Sequence, residues 1–239
     1  MSWERILPED DYRLFRENIS LLEAQVVTNA REAASPSILA AIRFVPRHFF
    51  VARDYRALAY TDNALPTARG LTTSAPSVIA RMIHAAGVRR GERVLEVGTG
   101  TGYEAALLAE MGAEVRTIEI DGMLAGAANE ILIRLGYKPP VRIYHGNGMR
   151  GCPEGAPYDA IILAAAVPSP AHLQALAAQL RVGGRLVAPV GAQHAQELLR
   201  LGRLRSGLRG GPVEGISMDF IRMVLPRDEK RHGQLRVSG

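Results

Sequence analysis

The chain has a single cysteine, Cys152, in 239 residues. No intramolecular disulfide can form, and there is no set of thiolates to hold zinc. Aromatic residues make up only 5% of a composition that is 47% hydrophobic, so the core must be packed largely from aliphatic side chains. Long apolar runs are also missing. The longest, Ala160 to Val167, falls far short of the roughly 20 residues a bilayer crossing needs, and no membrane partner is expected. The chain lacks H-E-x-x-H, G-x-S-x-G and a P-loop Lys-Ser/Thr, and its six histidines share no ligand spacing. Metal, acyl-enzyme and nucleoside triphosphate chemistries therefore have no motif to stand on. The N-terminal stretch, with Trp3, Glu4, Arg5 and then Glu9, Asp10 and Asp11, does not read as a secretory leader, and a cytoplasmic location is expected.

Charge is plentiful but unevenly placed. Residues 1–30 carry six acids against three bases, and residues 200–239 carry nine bases against four acids. A basic C-terminus can attract nucleic acid or acidic partners; a solvated arginine-rich surface in an arginine-rich protein is the plainer reading, and no nucleic-acid partner is expected.

Tyr12, Phe15, Ile19, Leu22 and Val26 fall on one helical stripe, and Ser35-Pro36 opens a second helix that Pro46 stops. Residues 46–75 read as an irregular connection, and long connections of this kind are often functional. From there helices (about 76–86, 103–111, 122–135 and 171–180) alternate with strands (93–97, 114–119, 141–145, 158–163 and 184–189). Such alternation means an α/β fold: a doubly wound, mostly parallel Rossmann-like sheet with helices on both faces. Leu198–Leu204 and Ile216–Leu225 read as antiparallel closing strands. Three parts are expected: a helical cap and loop over 1–75, a cofactor-binding domain over 76–225, and a basic tail over 226–239.

The sheet's ligand-binding end is marked by Glu96-Val-Gly98-Thr99-Gly100-Thr-Gly102-Tyr103. An apolar strand ends in an acid, a glycine turn lets backbone approach a ligand, and a helix begins at about Tyr103. A dinucleotide fingerprint would need its third glycine where Tyr103 stands. Glu96 also suits a ligand bearing an ammonium and a sulfonium better than a pyrophosphate, which it would repel. Glu119, followed by Ile120, ends the next strand 21 residues after Gly98, a spacing suited to ribose hydroxyls. Asn147-Gly148 ends the third and would lie beside adenine, where Asn147 can accept from the exocyclic amine. These features point to S-adenosyl-L-methionine as the cofactor.

The sequence resembles the protein-L-isoaspartate O-methyltransferases from about Ser35 to Gly191. The resemblance rests on Val45-Pro-Arg-His-Phe-Phe-Val51, Ala59-Tyr-Thr-Asp-Asn-Ala-Leu-Pro66, Gly70-Leu-Thr-Thr-Ser-Ala-Pro76, the glycine motif, Tyr158-Asp-Ala-Ile-Ile162 and Gly183-Gly-Arg-Leu-Val-Ala-Pro-Val-Gly191. The first and third of these are the most particular to the family. The resemblance implies that Ser74 is the active-site serine and that Thr72, Thr73, Ser74 and Ala75 form a loop closing over the methyl donor and the acceptor carboxylate. The acceptor would be an isoaspartyl residue of a protein or peptide. Judged from its neighbours alone, Ser74 is a natural helix N-cap. Asp62 could orient the loop or the acceptor, and a turn-forming aspartate reads equally well there. The family usually has Gln at the positions of Leu71 and Ala75 and Asp at that of Asn147. Leu71 and Ala75 flank the serine, and they motivate a second reading, an enzyme of the same fold acting on another carboxylate. Nucleic-acid methylation has less to recommend it, since Ala164–Pro170 lacks the amide or acid that would hold an exocyclic amine.

Overall fold

We describe a computed structural model of the chain. The structure describes residues 3–67, 71–218, 220, 222–223 and 236–237, with backbone only for 214–218 and 236–237. Helix α1 spans Glu9–Asn29 and α2 spans Pro36–Phe44. Two short antiparallel strands, β1 (Leu65–Pro66) and β2 (Thr72–Thr73), precede helix α3 (Pro76–Ala86). The wound part then runs β3 (Arg93–Val97), α4 (Tyr103–Glu110), β4 (Glu114–Glu119), α5 (Gly122–Arg134), β5 (Val141–His145) and β6 (Tyr158–Leu163). It continues through α6 (Gln174–Ala177) into β7 (Leu180–Ala192), β8 (Ala195–Leu204), β9 (Gly207–Met218) and β10 (Arg236–Val237).

The eight strands β3–β10 form one sheet in the order β10-β5-β4-β3-β6-β7-β8-β9. The five strands from β5 to β7 are parallel, and β8, β9 and β10 pair antiparallel to their neighbours. Chain direction across the sheet reverses between β3 and β6, and a cleft at the carboxyl ends of strands opens at such a switch point. The parallel strands carry apolar residues toward both faces, as burial on both sides requires. Along β3, Val94 joins a core with α1–α5, and Leu95 and Val97 join a second core with Met149, Leu173 and Leu176. The N-terminal helices α1 and α2 thus share a core with the sheet rather than building their own.

Three expectations need correction. Residues 171–180 do not form a helix of three turns. Pro170–Leu173 is a 3₁₀ turn and α6 a single α-helical turn, because Leu180 is already a strand residue paired with Tyr158. The alanine-rich stretch has helix propensity, but tertiary pairing overrides it. The connection over 46–75 is less irregular than expected: it holds 3₁₀ turns at Arg47–Phe50 and Arg53–Leu58 besides the β1–β2 pair. The last closing strand begins at Gly207, well before Ile216. Gly70, most of 219–225 and the basic tail apart from the backbone of 236–237 lie outside the described residues. No described helix is long and apolar enough to cross a membrane.

Candidate active site

A cavity of about 250 Å³ opens at the carboxyl ends of β3, β4, β5 and β6. Of the residues singled out in the sequence, Leu71, Thr72, Thr73, Ser74, Glu96, Gly98, Thr99, Gly100, Tyr103, Glu119, Ile120, Asn147 and Gly148 line it. Asp62, Ala75 and Gly102 do not.

The glycine turn is fixed from the neighbouring strand. The amides of Gly98 and Thr99 donate to the Ile118 carbonyl at 2.8 and 3.2 Å, and the Thr99 and Thr117 hydroxyls lie 2.6 Å apart. Gly100 has φ +53°, a left-handed conformation that favours glycine, and its amide donates to Glu119 Oε2 at 2.8 Å. Glu119 Oε1 accepts from the Asp121 amide at 3.0 Å. Backbone donors therefore orient the Glu119 carboxylate while its remaining lone pairs stay available to a ligand. Gly102 has another role. It sits at φ +90° at the start of α4, and a β-carbon there would press on Leu132 and Ala128 of α5. It lets α4 begin against α5 and does not line the cavity.

Glu96 is 1% exposed; neither carboxyl oxygen is in good hydrogen-bond geometry, and its one side-chain partner among the described residues is the Thr117 hydroxyl, a weak one. Burial pushes its carboxyl well above the usual range, and the nearby Glu104 carboxyl pushes it further. A buried carboxylate with so little to pair it is costly unless a cation arrives. The methyl donor expected from the sequence carries an ammonium and a sulfonium, so the residues present fit that group.

Asn147 is 5% exposed; its Oδ1 accepts from the Met149 amide at 3.0 Å, and its Nδ2 has no partner. The sequence suggested that Asn147 accepts from an exocyclic amine. Its Nδ2 is free to donate, and Oδ1 keeps a second lone pair with which to accept, so the amide can serve a ligand in either sense. Gly148 packs against Val97 so closely that a β-carbon would collide with it.

The other wall is the loop leading into α3. β1 pairs with β2 through Leu65 opposite Thr73 and Pro66 opposite Thr72, and the Thr67 amide donates to the Leu71 carbonyl at 2.7 Å. This hairpin presents Leu71 through Ser74 to the cavity. Ser74 is not the helix cap its neighbours suggested. The N-cap is Ala75, which has no side chain to cap with. Asp62 supplies the function from a distance: its Oδ1 accepts from the Ser77 amide at 2.8 Å and its Oδ2 from Asn29 Nδ2 at 2.6 Å. Both oxygens are engaged structurally, so Asp62 is a positioning residue outside the cavity.

Four residues were not foreseen in these roles. Arg47 is fully buried and donates to the carbonyls of Ala59 and Thr61 at 2.9 Å, Asn63 at 2.8 Å and Ser74 at 3.2 Å, with its guanidinium 5.6 Å from the Tyr103 ring centroid. It ties the acceptor loop to the start of α4. The signal was an arginine inside the otherwise apolar Val45–Val51 segment, a charge that needs partners if it is buried. Thr67 lines the cavity with a buried, unpartnered hydroxyl. Glu104 and Arg222 also line it.

The family model for protein-L-isoaspartate(D-aspartate) O-methyltransferase matches residues 19–216. Among curated relatives, protein-L-isoaspartate O-methyltransferase 1 of Rhodopseudomonas palustris is 48% identical over 196 residues, covering 81% of this chain and 78% of that protein. The protein-L-isoaspartate O-methyltransferase of Methanoculleus marisnigri is 41% identical over 201 residues, covering 84% and 89%. A solved protein-L-isoaspartate O-methyltransferase superposes with a TM-score of 0.76 at 26% identity, covering 85% of this chain and 66% of that one. A Plasmodium falciparum structure in complex with S-adenosyl-L-homocysteine shares the fold, with a TM-score of 0.69 at 21% identity over 87% of this chain and 98% of that one.

Proposed function

The chain belongs to the protein-L-isoaspartate(D-aspartate) O-methyltransferase family, and from that premise we propose that its cavity transfers a methyl group from S-adenosyl-L-methionine to the free carboxylate of L-isoaspartyl residues in proteins and peptides. The ester would then collapse to a succinimide, which makes the reaction a repair step. Glu96 is the observation that carries this reading: a buried carboxyl with no cationic partner among the described residues, at the end of β3, calls for a cationic ligand. When bound, the donor supplies an electrophilic methyl group on a good leaving group.

Little acid–base chemistry is required of the protein, because the acceptor carboxylate is already ionised at neutral pH. The residues would act by holding and by excluding water. In this reading Glu119 accepts from the ribose hydroxyls, Asn147 Nδ2 donates to the adenine edge, and Glu96 faces the cationic end. Thr72 to Ser74 close the opposite wall, and the Ser74 hydroxyl donates to the acceptor carboxylate and aims one oxygen at the methyl carbon. Arg222, the one guanidinium lining the cavity among the described residues, attracts the acceptor's negative charge. Alignment of this kind can supply about 7–11 kcal/mol in favourable cases, and water exclusion strengthens the attraction between acceptor and donor as their charges neutralise.

Leu71 is the feature that favours a second acceptor. It lines the wall beside Ser74, where an apolar side chain contributes no hydrogen bond to a peptide. Labelled methyl transfer to an isoaspartyl peptide and to its aspartyl twin separates the two readings. Base-labile label on the isoaspartyl peptide alone is expected; label on neither would move the acceptor elsewhere.

A further inference from the structure

Helix α4 is buried on nearly every side. From Tyr103 to Ala109 every residue is buried, and all but Glu104 are apolar or aromatic. Glu104 sits two residues beyond Gly102, in the first turn of α4, is 7% exposed, lines the same cavity as Glu96, and has an unpartnered Oε1. The two carboxyls are close enough to repel each other. Glu119, the third acid of the cavity, differs from both because backbone amides already engage its two oxygens.

Two buried carboxyls that repel each other, relieved among the described side chains only by the Thr117 hydroxyl beside Glu96, cannot both be charged at little cost, so one of them must hold a proton or meet a cation. We propose that Glu104 is a second carboxylate of the donor site, sharing one proton with Glu96 in the free protein and giving that proton to solvent when the positively charged donor enters. Two carboxylates then face a ligand that carries an ammonium and a sulfonium. After transfer the sulfur is neutral, one carboxylate loses its counter-charge, and the product is held less tightly than the donor. Glu104 thereby makes the site choose between donor and product, which a ribose or adenine contact cannot do because both ligands share those groups. This inference rests on the cavity being the methyl-donor site.

The surroundings are consistent with it. The other ionisable groups lining the cavity are Glu119 from β4, Tyr103 beside Glu104 on α4, and Arg222 from the C-terminal segment; no lysine or histidine among the described residues lines it. Burial alone pushes the Glu104 carboxyl up to about 8, so at neutral pH a proton is there to be released.

The test is calorimetry of S-adenosylmethionine and S-adenosylhomocysteine binding to the native protein and to Glu104→Gln at pH 7, each in two buffers of different ionisation enthalpy. With the native protein, donor binding should release a proton fraction that product binding does not. Glu104→Gln should weaken donor binding by about tenfold or more, bring donor and product affinities closer together, and abolish the difference in proton release. The native measurement needs no variant, so a misfolded substitution cannot hide the result. Equal proton release with both ligands in the native protein would overturn the inference, as would a folded Glu104→Gln that weakens both ligands alike. If neither ligand binds the native protein, the donor reading itself fails and this inference goes with it.

Discussion

The carboxylate of Asp62 accepts the amide of Ser77 at 2.8 Å, capping from fifteen residues upstream the helix that follows the acceptor loop. Its second oxygen accepts from Asn29 Nδ2, which ties the cap to α1. Helix α3 begins with Ala75 and Pro76 and has no cap of its own. Asp62→Ala should therefore cost about 1–2 kcal/mol of stability, read in chemical denaturation, and should raise the KM for the acceptor by loosening the loop. Asp62→Asn keeps an oxygen for the Ser77 amide and should recover most of the stability.

Ser74→Ala separates the two roles the sequence left open. Because Ser74 does not cap α3, the substitution should leave the denaturation midpoint nearly unchanged. Turnover should fall by about tenfold to a hundredfold, the expected worth of one hydrogen bond to a charged group, with donor affinity by calorimetry preserved. A stability loss without a turnover loss would return Ser74 to a purely structural role.

Glu119→Ala removes the acceptor of the Gly100 and Asp121 amides together with the group placed to hold the ribose. Binding of both S-adenosylmethionine and S-adenosylhomocysteine should weaken by roughly tenfold to a hundredfold. Loss of the two affinities in parallel distinguishes this residue from Glu104, whose substitution should affect the donor selectively.

Two buried groups set opposite pH dependences. His48 is fully buried, 2.6 Å from the Tyr60 hydroxyl through Nδ1, and burial lowers its pKa from 6.5 to about 4 against a smaller opposing pull from Asp11. The unfolded chain binds the extra proton first, so the His48 contribution is complete above pH 6.5 and is lost as pH falls toward 4. Glu104 is displaced upward, from 4.5 to about 8. The folded protein then holds the extra proton, and the Glu104 contribution is present below pH 4.5 and lost as pH rises through 8. Without ligand, Glu104→Gln should gain stability relative to the native chain as pH rises from 4.5 to 8, and His48→Gln should show a flatter acid limb. Denaturation midpoints across pH 4 to 9 measure both; parallel curves for the native chain and Glu104→Gln would contradict the assignment.

The parallel strands were legible because a strand buried on both faces must be largely aliphatic, as Ala160–Leu163 is throughout and Val94–Val97 is apart from Glu96. The glycine turn was legible because its backbone conformation restricts the residue types that can form it. What sequence could not give were the relationships set by chain crossing. Asp62 read as a turn former or substrate group, and only the packing of α1 against α3 shows that it caps a helix. Gly102 looked like part of the ligand-binding turn, but its bare α-carbon faces Leu132 across a helix contact. Glu104 carried a usable signal, an acid in a helix otherwise apolar or aromatic up to Ala109, although which cavity it faced depended on the rotation of α4 about its axis. Arg47 was similar: its segment was recognisable, but the four carbonyls it binds come from stretches 12 to 27 residues away.

The most direct test of the central claim is the chemical fate of twin peptides, one with an isoaspartyl and one with an aspartyl linkage, incubated with the protein and S-adenosylmethionine and followed by mass spectrometry. The isoaspartyl peptide should gain a methyl ester and then pass to the succinimide, while the aspartyl peptide stays unmodified. Methylation of both peptides to the same extent, or of neither under conditions where the donor binds, would contradict it.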